Sequence, residues 1–158
     1  MRVMKYSTRL DCDRKPYLVK EAAINYKPGT RFRFCPQMLA DVVNGVFDAQ
    51  NQTEEHLYLV CCTGDSLRGV FEVSKGSTDL AIVDIPTIFR NVFLLGANSF
   101  ALLHNHPGGG FTPSEEDLKT TKRVIESSKL LGVKFVDHII LGTHGAFESL
   151  ADARYGLF

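Results

Sequence analysis

No stretch of the 158 residues is continuously apolar for the ~18 positions that a helix needs to cross a bilayer, which argues against a membrane span. The opening "MRVMKYSTRLDCDRK" carries basic groups but no apolar core, so it is not built like a secretory leader. The expected setting is the cytoplasm, with no membrane partner. No Cys-x-x-Cys pair exists among Cys12, Cys35, Cys61 and Cys62, so a cysteine-ligated zinc site has no support. Cys61 and Cys62 adjoin in a strand-like run, where their side chains face opposite ways; reduced, partly buried thiols are expected. Internal repeats and low-complexity tracts are absent. The His-x-Glu and Pro-Cys-x-x-Cys set that a nucleoside deaminase needs is missing, and "PGGGF" lacks the lysine of a phosphate-binding loop.

Net charge is also missing, but its absence hides an asymmetry. Residues 1–35 hold nine Lys/Arg against three Asp/Glu, and the rest hold nine against fifteen. Such a basic segment suits nucleic acid or an acidic partner. It equally suits a solvated edge that pairs with the acidic body. The apolar fraction of 44% and charged fraction of 23% are ordinary for a soluble globular chain with one buried core.

Periodicity gives the elements. "YLVKEAAINY" (17–26) reads weakly as a strand, and "KPGT" (27–30) as a turn. "PQMLADVVNGVFDAQ" (36–50) places Leu39, Val42, Val43 and Phe47 near helical spacing behind a first-turn proline. "HLYLVCCT" (56–63) and "LRGVFEVSK" (67–75) read as a strand pair. A second helix is expected over 86–96, ended by Gly96. "SFALLHNH" (99–106) is apolar enough for a strand buried on both faces. The third helix spans 114–131, with Leu118, Thr121, Ile125, Ser128 and Leu131 on one side. Gly132 ends it, and a buried strand follows over 133–142. Helices alternating with strands predict an α/β (α+β) fold with a central mixed sheet.

The chemistry gathers in "LLHNHPGGGFTPSEEDL" (102–118), at the carboxyl end of a buried strand, where ligand sites favour α/β sheets. His104 and His106 are one residue apart, so both rings leave an extended chain on one side. Asn105 points away, toward the interior or a supporting partner. Pro107 stops the ladder, and Gly108, Gly109 and Gly110 permit a tight return. The return brings Ser114 and Asp117 over the histidines. Two imidazoles and one carboxylate neutralise half of a dication's charge and leave a fourth tetrahedral position open, as in catalytic zinc sites. By itself Ser-x-x-Asp is a capping box, and a lone His-x-His is more often structural. Capping explains neither histidine, and Ser114 can serve in both roles.

This stretch resembles the JAMM motif, His-x-His-Pro followed by Ser-x-x-Asp, of JAB/MPN metalloproteases. With "VDHIILG" downstream it is most similar to the RadC branch, over residues 36 to 150. The resemblance implies a three-layer, cytidine-deaminase-like architecture, with 1–35 as a basic N-terminal extension and 36–158 as the metal-binding domain. It implies one catalytic Zn2+ held by His104, His106 and Asp117, with Ser114 polarising a carbonyl or stabilising an oxyanion. The family's catalytic glutamate sits at the start of the first core strand, where "QTEEHLYLV" offers Glu55. Glu54 adjoins it, but only one of two neighbours can face the site; Glu72 is a weaker alternative. Asp137 and His138, also neighbours, cannot both serve one ion. A hydrogen bond to a metal-binding histidine or a core contact suits one of them, and a structural role is favoured. His56 and His144 have no comparable context.

Three functions compete. The favoured one is a zinc metallohydrolase that cleaves a peptide or isopeptide bond in a peptide or protein substrate, by a zinc-activated water. The second is a DNA-repair-associated accessory module, acting through the basic segment. RadC-like chains commonly carry a helix-hairpin-helix region ahead of this domain, and ~35 residues without its hairpin glycines are too few for one. The third is a metal-stabilised binding domain without catalysis.

Overall fold

A computed structural model of the chain describes residues 1–26, 31–76 and 84–158. The turn expected at 27–30 lies outside them. One sheet holds seven strands: β1 (Arg2–Leu10), β2 (Pro16–Asn25), β3 (His56–Thr63), β4 (Ser66–Lys75), β5 (Ser99–Asn105), β6 (Lys134–Leu141) and β7 (Phe147–Ser149). Their spatial order is β2-β1-β4-β3-β5-β6-β7. Among the described residues three α-helices accompany them: α1 (Pro36–Phe47), α2 (Ile85–Leu94) and α3 (Glu115–Leu131). The sheet is mixed, as expected. β5 and β6 are parallel, as are β1 and β4, and the other neighbours are antiparallel.

The helices make three layers. On one face Ile88 and Val92 of α2, with Val124 and Ile125 of α3, pack on Leu57, Leu59, Phe100 and Leu102. On the other, Leu39, Val42, Val43 and Phe47 of α1 pack on Tyr58, Val60, Leu103 and Ile139. β5 is buried along its whole length, which is why its sequence lacks polar alternation before His104. Cys61 joins the first cluster and Cys62 the second. Burial raises both thiols, Cys62 to about 12, so neither is a ready nucleophile.

The basic N-terminal residues lie in the sheet. β1 and β2 form a hairpin whose Val3 is fully buried and whose Tyr6 packs on the α2–α3 side. Lys5 Nζ stands 4.6 Å from the centre of the Phe47 ring. Arg9 meets Glu21 at 3.4 Å and Lys15 meets Asp13 at 3.5 Å, so these cations pair within the hairpin. β1 escapes a periodicity reading because "RVMKYSTRL" interleaves charges with only a weak apolar alternation; pairing to β2 and β4 makes it a strand. β7, three residues long, is too short to leave a pattern. Among the described residues no helix is long and apolar enough to cross a membrane.

Candidate metal centre

Strand alternation sets the first half of the site. Leu102 and His104 face the α2–α3 side, and Leu103 and Asn105 face α1. Beyond β5, the His106 N–H donates to the Leu141 carbonyl at 3.3 Å, which keeps the second histidine beside the end of β6. The chain then turns back through Gly109, at φ 80°. A Cβ there would lie 3.0 Å from Thr143 Cγ2, so both conformation and space call for glycine. Gly108 and Gly110 carry no such requirement. Gly142 lets Phe111 lie against its backbone, where a Cβ would meet the ring at 3.0 Å.

The first turn of α3 supplies the other half. Ser114 is the N-cap, and the capping box anticipated from Ser-x-x-Asp is formed. Asp117 N–H donates to Ser114 Oγ at 3.1 Å, while Ser114 N–H and Oγ–H donate to Asp117 Oδ2 at 2.7 and 2.8 Å. These bonds fix a fully buried carboxylate over the histidines. His104 Nε2 lies 3.2 Å from Asp117 Oδ1, and His106 Nε2 lies 3.5 Å from Oδ2. The two Nε2 atoms are 2.9 Å apart. One ligand atom from each residue falls within 4.8 Å of the others, and no other His/Cys/Asp/Glu group among the described residues converges in this way.

Burial would push the Asp117 carboxyl up, yet the two imidazoles facing it hold it well below the usual range. The same carboxylate raises His106. Asp117 Oδ1 is buried and, although within ion-pair reach of His104, has no hydrogen-bond partner among the described residues. An unsatisfied buried carboxylate oxygen is costly. A cation shared with the two imidazole nitrogens would satisfy it, and this nitrogen–oxygen donor set would suit zinc.

The glutamates separate by face. Leu57 pairs with His104 across the sheet, so Glu55, two residues earlier, shares the side of His104. Glu55 is half-buried, and its charge contributes to raising His106. Glu54 is exposed and meets Lys75 Nζ at 3.5 Å. Glu72 pairs with Tyr58 on the α1 side, where its Oε2 lies 3.3 Å from His56 Nδ1. Asn105 points away from the histidines, as anticipated. Its Nδ2 donates to the Glu54 carbonyl at 2.9 Å and its Oδ1 accepts from the His56 N–H at 3.0 Å. One amide thereby clamps the chain on both sides of Glu55.

Asp137 and His138 face opposite ways, as neighbours on a strand must. Asp137 accepts from Ser149 Oγ at 2.7 Å and from the Ala151 N–H at 3.0 Å, a structural role. His138 takes the other option: its Nε2 lies 3.0 Å from His104 Nδ1, and its Nδ1 lies 2.7 Å from Thr121 Oγ1. Thr121 was legible only as part of a buried helix face. Its sole signal was a hydroxyl recurring one turn after Asp117 where an apolar residue would pack. His56 is buried and stacks on Tyr58, and His144 is exposed in the loop after β6.

Residues 34–155 match the RadC-like JAB domain family. A UPF0758 protein of Caldanaerobacter subterraneus subsp. tengcongensis is 35% identical over 117 residues, 73% of this chain and 50% of its own length. A UPF0758 protein of Clostridium acetobutylicum is 40% identical over 100 residues, 63% of this chain and 43% of its own. One from Methanosarcina barkeri is 32% identical over 117 residues, 73% of this chain and 51% of its own. The chain thus spans about half the length of the curated relatives it matches.

Proposed function

The chain belongs to the RadC-like JAB domain family, and on that premise we propose that it is a zinc-dependent hydrolase cleaving a peptide or isopeptide bond. The observation that carries this reading is the meeting of His104, His106 and Asp117 around a buried, unsatisfied carboxylate oxygen. A divalent cation held there would supply Lewis acidity, easing the loss of a proton from water and polarising a carbonyl.

The remaining work falls to the chain's own residues. Glu55, on the side of His104, accepts the proton of the attacking water and returns it to the leaving amine. Asn105 keeps that carboxylate in place through the backbone on either side. Ser114 Oγ now donates to Asp117 Oδ2; turned toward the substrate, the same hydroxyl donates to the developing oxyanion. Burial of His104 and Asp117 shields these charges from water and strengthens each interaction.

The test begins with metal content after purification without added metal, followed by a peptide-library cleavage screen. One zinc per chain is expected, with uptake lost in His106→Ala. Glu55→Gln should keep its zinc and lose roughly 10²- to 10⁴-fold in turnover, the range for removing a general base. A wild-type protein that ignores zinc at neutral pH, or a Glu55→Gln protein that cleaves as fast as wild type, overturns the reading.

A further inference from the structure

His104 is wholly buried, whereas His106 retains a fifth of its side-chain exposure. Water can therefore satisfy the ring of His106 but not that of His104. A neutral imidazole carries one hydrogen, on Nδ1 or on Nε2, and only the nitrogen without it can bind a metal. Something in the protein has to decide which nitrogen of His104 that is.

The decision can be followed atom by atom. Thr121 Oγ1 lies 2.6 Å from the Asp117 carbonyl oxygen. A carbonyl has no hydrogen to give, so the threonine hydroxyl donates its single hydrogen there. The contact between Thr121 Oγ1 and His138 Nδ1, at 2.7 Å, must then run the other way, with His138 Nδ1–H donating to the hydroxyl. His138 is wholly buried and, among the described residues, neither of its ring nitrogens meets a carboxylate, so the ring is neutral and holds one hydrogen. Its Nε2 therefore bears a lone pair and accepts from His104 Nδ1–H at 3.0 Å. With the hydrogen of the neutral ring on Nδ1, His104 turns Nε2 toward His106 and Asp117, where a cation would meet its lone pair.

We propose that Thr121 and His138 form a positioning relay that fixes the hydrogen of His104 on Nδ1 and so presents its Nε2 lone pair to a divalent cation. The relay rests on the metal reading of the site. It begins at the backbone carbonyl of Asp117 and ends beside the carboxylate of the same residue. The first turn of α3 thereby supplies one ligand directly and sets the tautomer of another. Partners that hold the second nitrogen of a metal-binding histidine typically contribute about 10- to 100-fold in metal affinity.

Thr121→Val removes the hydroxyl while keeping the branched shape, and Thr121→Ser restores it. Zinc affinity, measured by competition with a chromophoric chelator, is expected to fall by about 10- to 100-fold in Thr121→Val and to return close to wild type in Thr121→Ser. A second reading needs no variant and no metal. Long-range proton–nitrogen NMR of the metal-free wild type should show His104 and His138 each bearing hydrogen on Nδ1, with none on His138 Nε2. A bare Nδ1 on either ring, or hydrogen on His138 Nε2, overturns the relay. So does a folded Thr121→Val that binds zinc as tightly as wild type. A wild type showing the expected tautomers but binding no zinc overturns the metal reading, and with it the ligand-fixing role.

Discussion

At the scale of single residues, the site depends on side chains that do no chemistry. Asn105 sits between the two candidate metal-binding histidines and faces the opposite way, because neighbouring strand residues alternate. Its amide satisfies one carbonyl and one N–H flanking Glu55. Asn105→Ala leaves both groups without that partner, which costs about 1–3 kcal/mol of stability. Asn105→Asp keeps an acceptor for the His56 N–H and should lose less. Urea unfolding of the metal-free proteins measures both, and an Asn105→Ala protein as stable as wild type would remove the clamp. The histidine pair was readable from "HNHP" because one intervening residue in a strand fixes both rings on one side. Thr121 and His138 were not readable as a pair, since seventeen positions separate them and only packing of α3 on β6 joins them.

At the scale of elements, α3 does two jobs with one turn. Ser114 caps the helix while its partner in the capping box, Asp117, turns its other oxygen toward His104. In the sequence the same four residues encode both a cap and a candidate ligand. In three dimensions one carboxylate serves both: Oδ2 takes the capping bonds and faces His106 at 3.5 Å, while Oδ1 faces His104 at 3.2 Å. Ser114→Ala should cost about 1 kcal/mol of stability through the lost cap, with Ser114→Thr recovering most of it. Denaturant midpoints with unchanged slopes check this. Equal midpoints for serine and alanine would show that the cap contributes nothing. The glycine run divides likewise: only Gly109 needs its missing Cβ, because its backbone is left-handed and Thr143 stands against it.

At the scale of the whole molecule, burying the site makes stability depend on pH. His138 is held down to about 3 by burial, whereas an unfolded histidine titrates near ~6.5. Between those values the unfolded chain binds a proton that the folded chain refuses, so stability falls as pH drops through this window. Asp117, lowered in the fold, adds stability that is present above the unfolded value of ~3.9 and is lost as pH falls through its folded value. His106, raised by Asp117, opposes this: its contribution is complete below ~6.5 and disappears as pH rises through its folded value. The metal-free protein is therefore expected to unfold at lower urea near about pH 4 than near about pH 7. A flat profile, or one rising toward acid, in a His106→Ala protein, where the opposing contribution is gone, would show that His138 is not kept neutral.

The sequence by itself determined the layered α/β plan and the candidate triad of His104, His106 and Asp117, because both are written locally. Alternation places the histidines, a capping signature places Asp117, and buried strands announce themselves by apolar runs. Tertiary structure alone decided the rest. It made a strand of residues 2–10, whose pairing partners supply what their own pattern lacks. It turned Glu55 rather than Glu54 toward the side of His104, through the register of β3 against β5. It also joined Thr121, His138 and His104 into one chain of contacts. Hydrogen bonds between distant segments depend on how helices and strands dock, and no spacing along the chain encodes that.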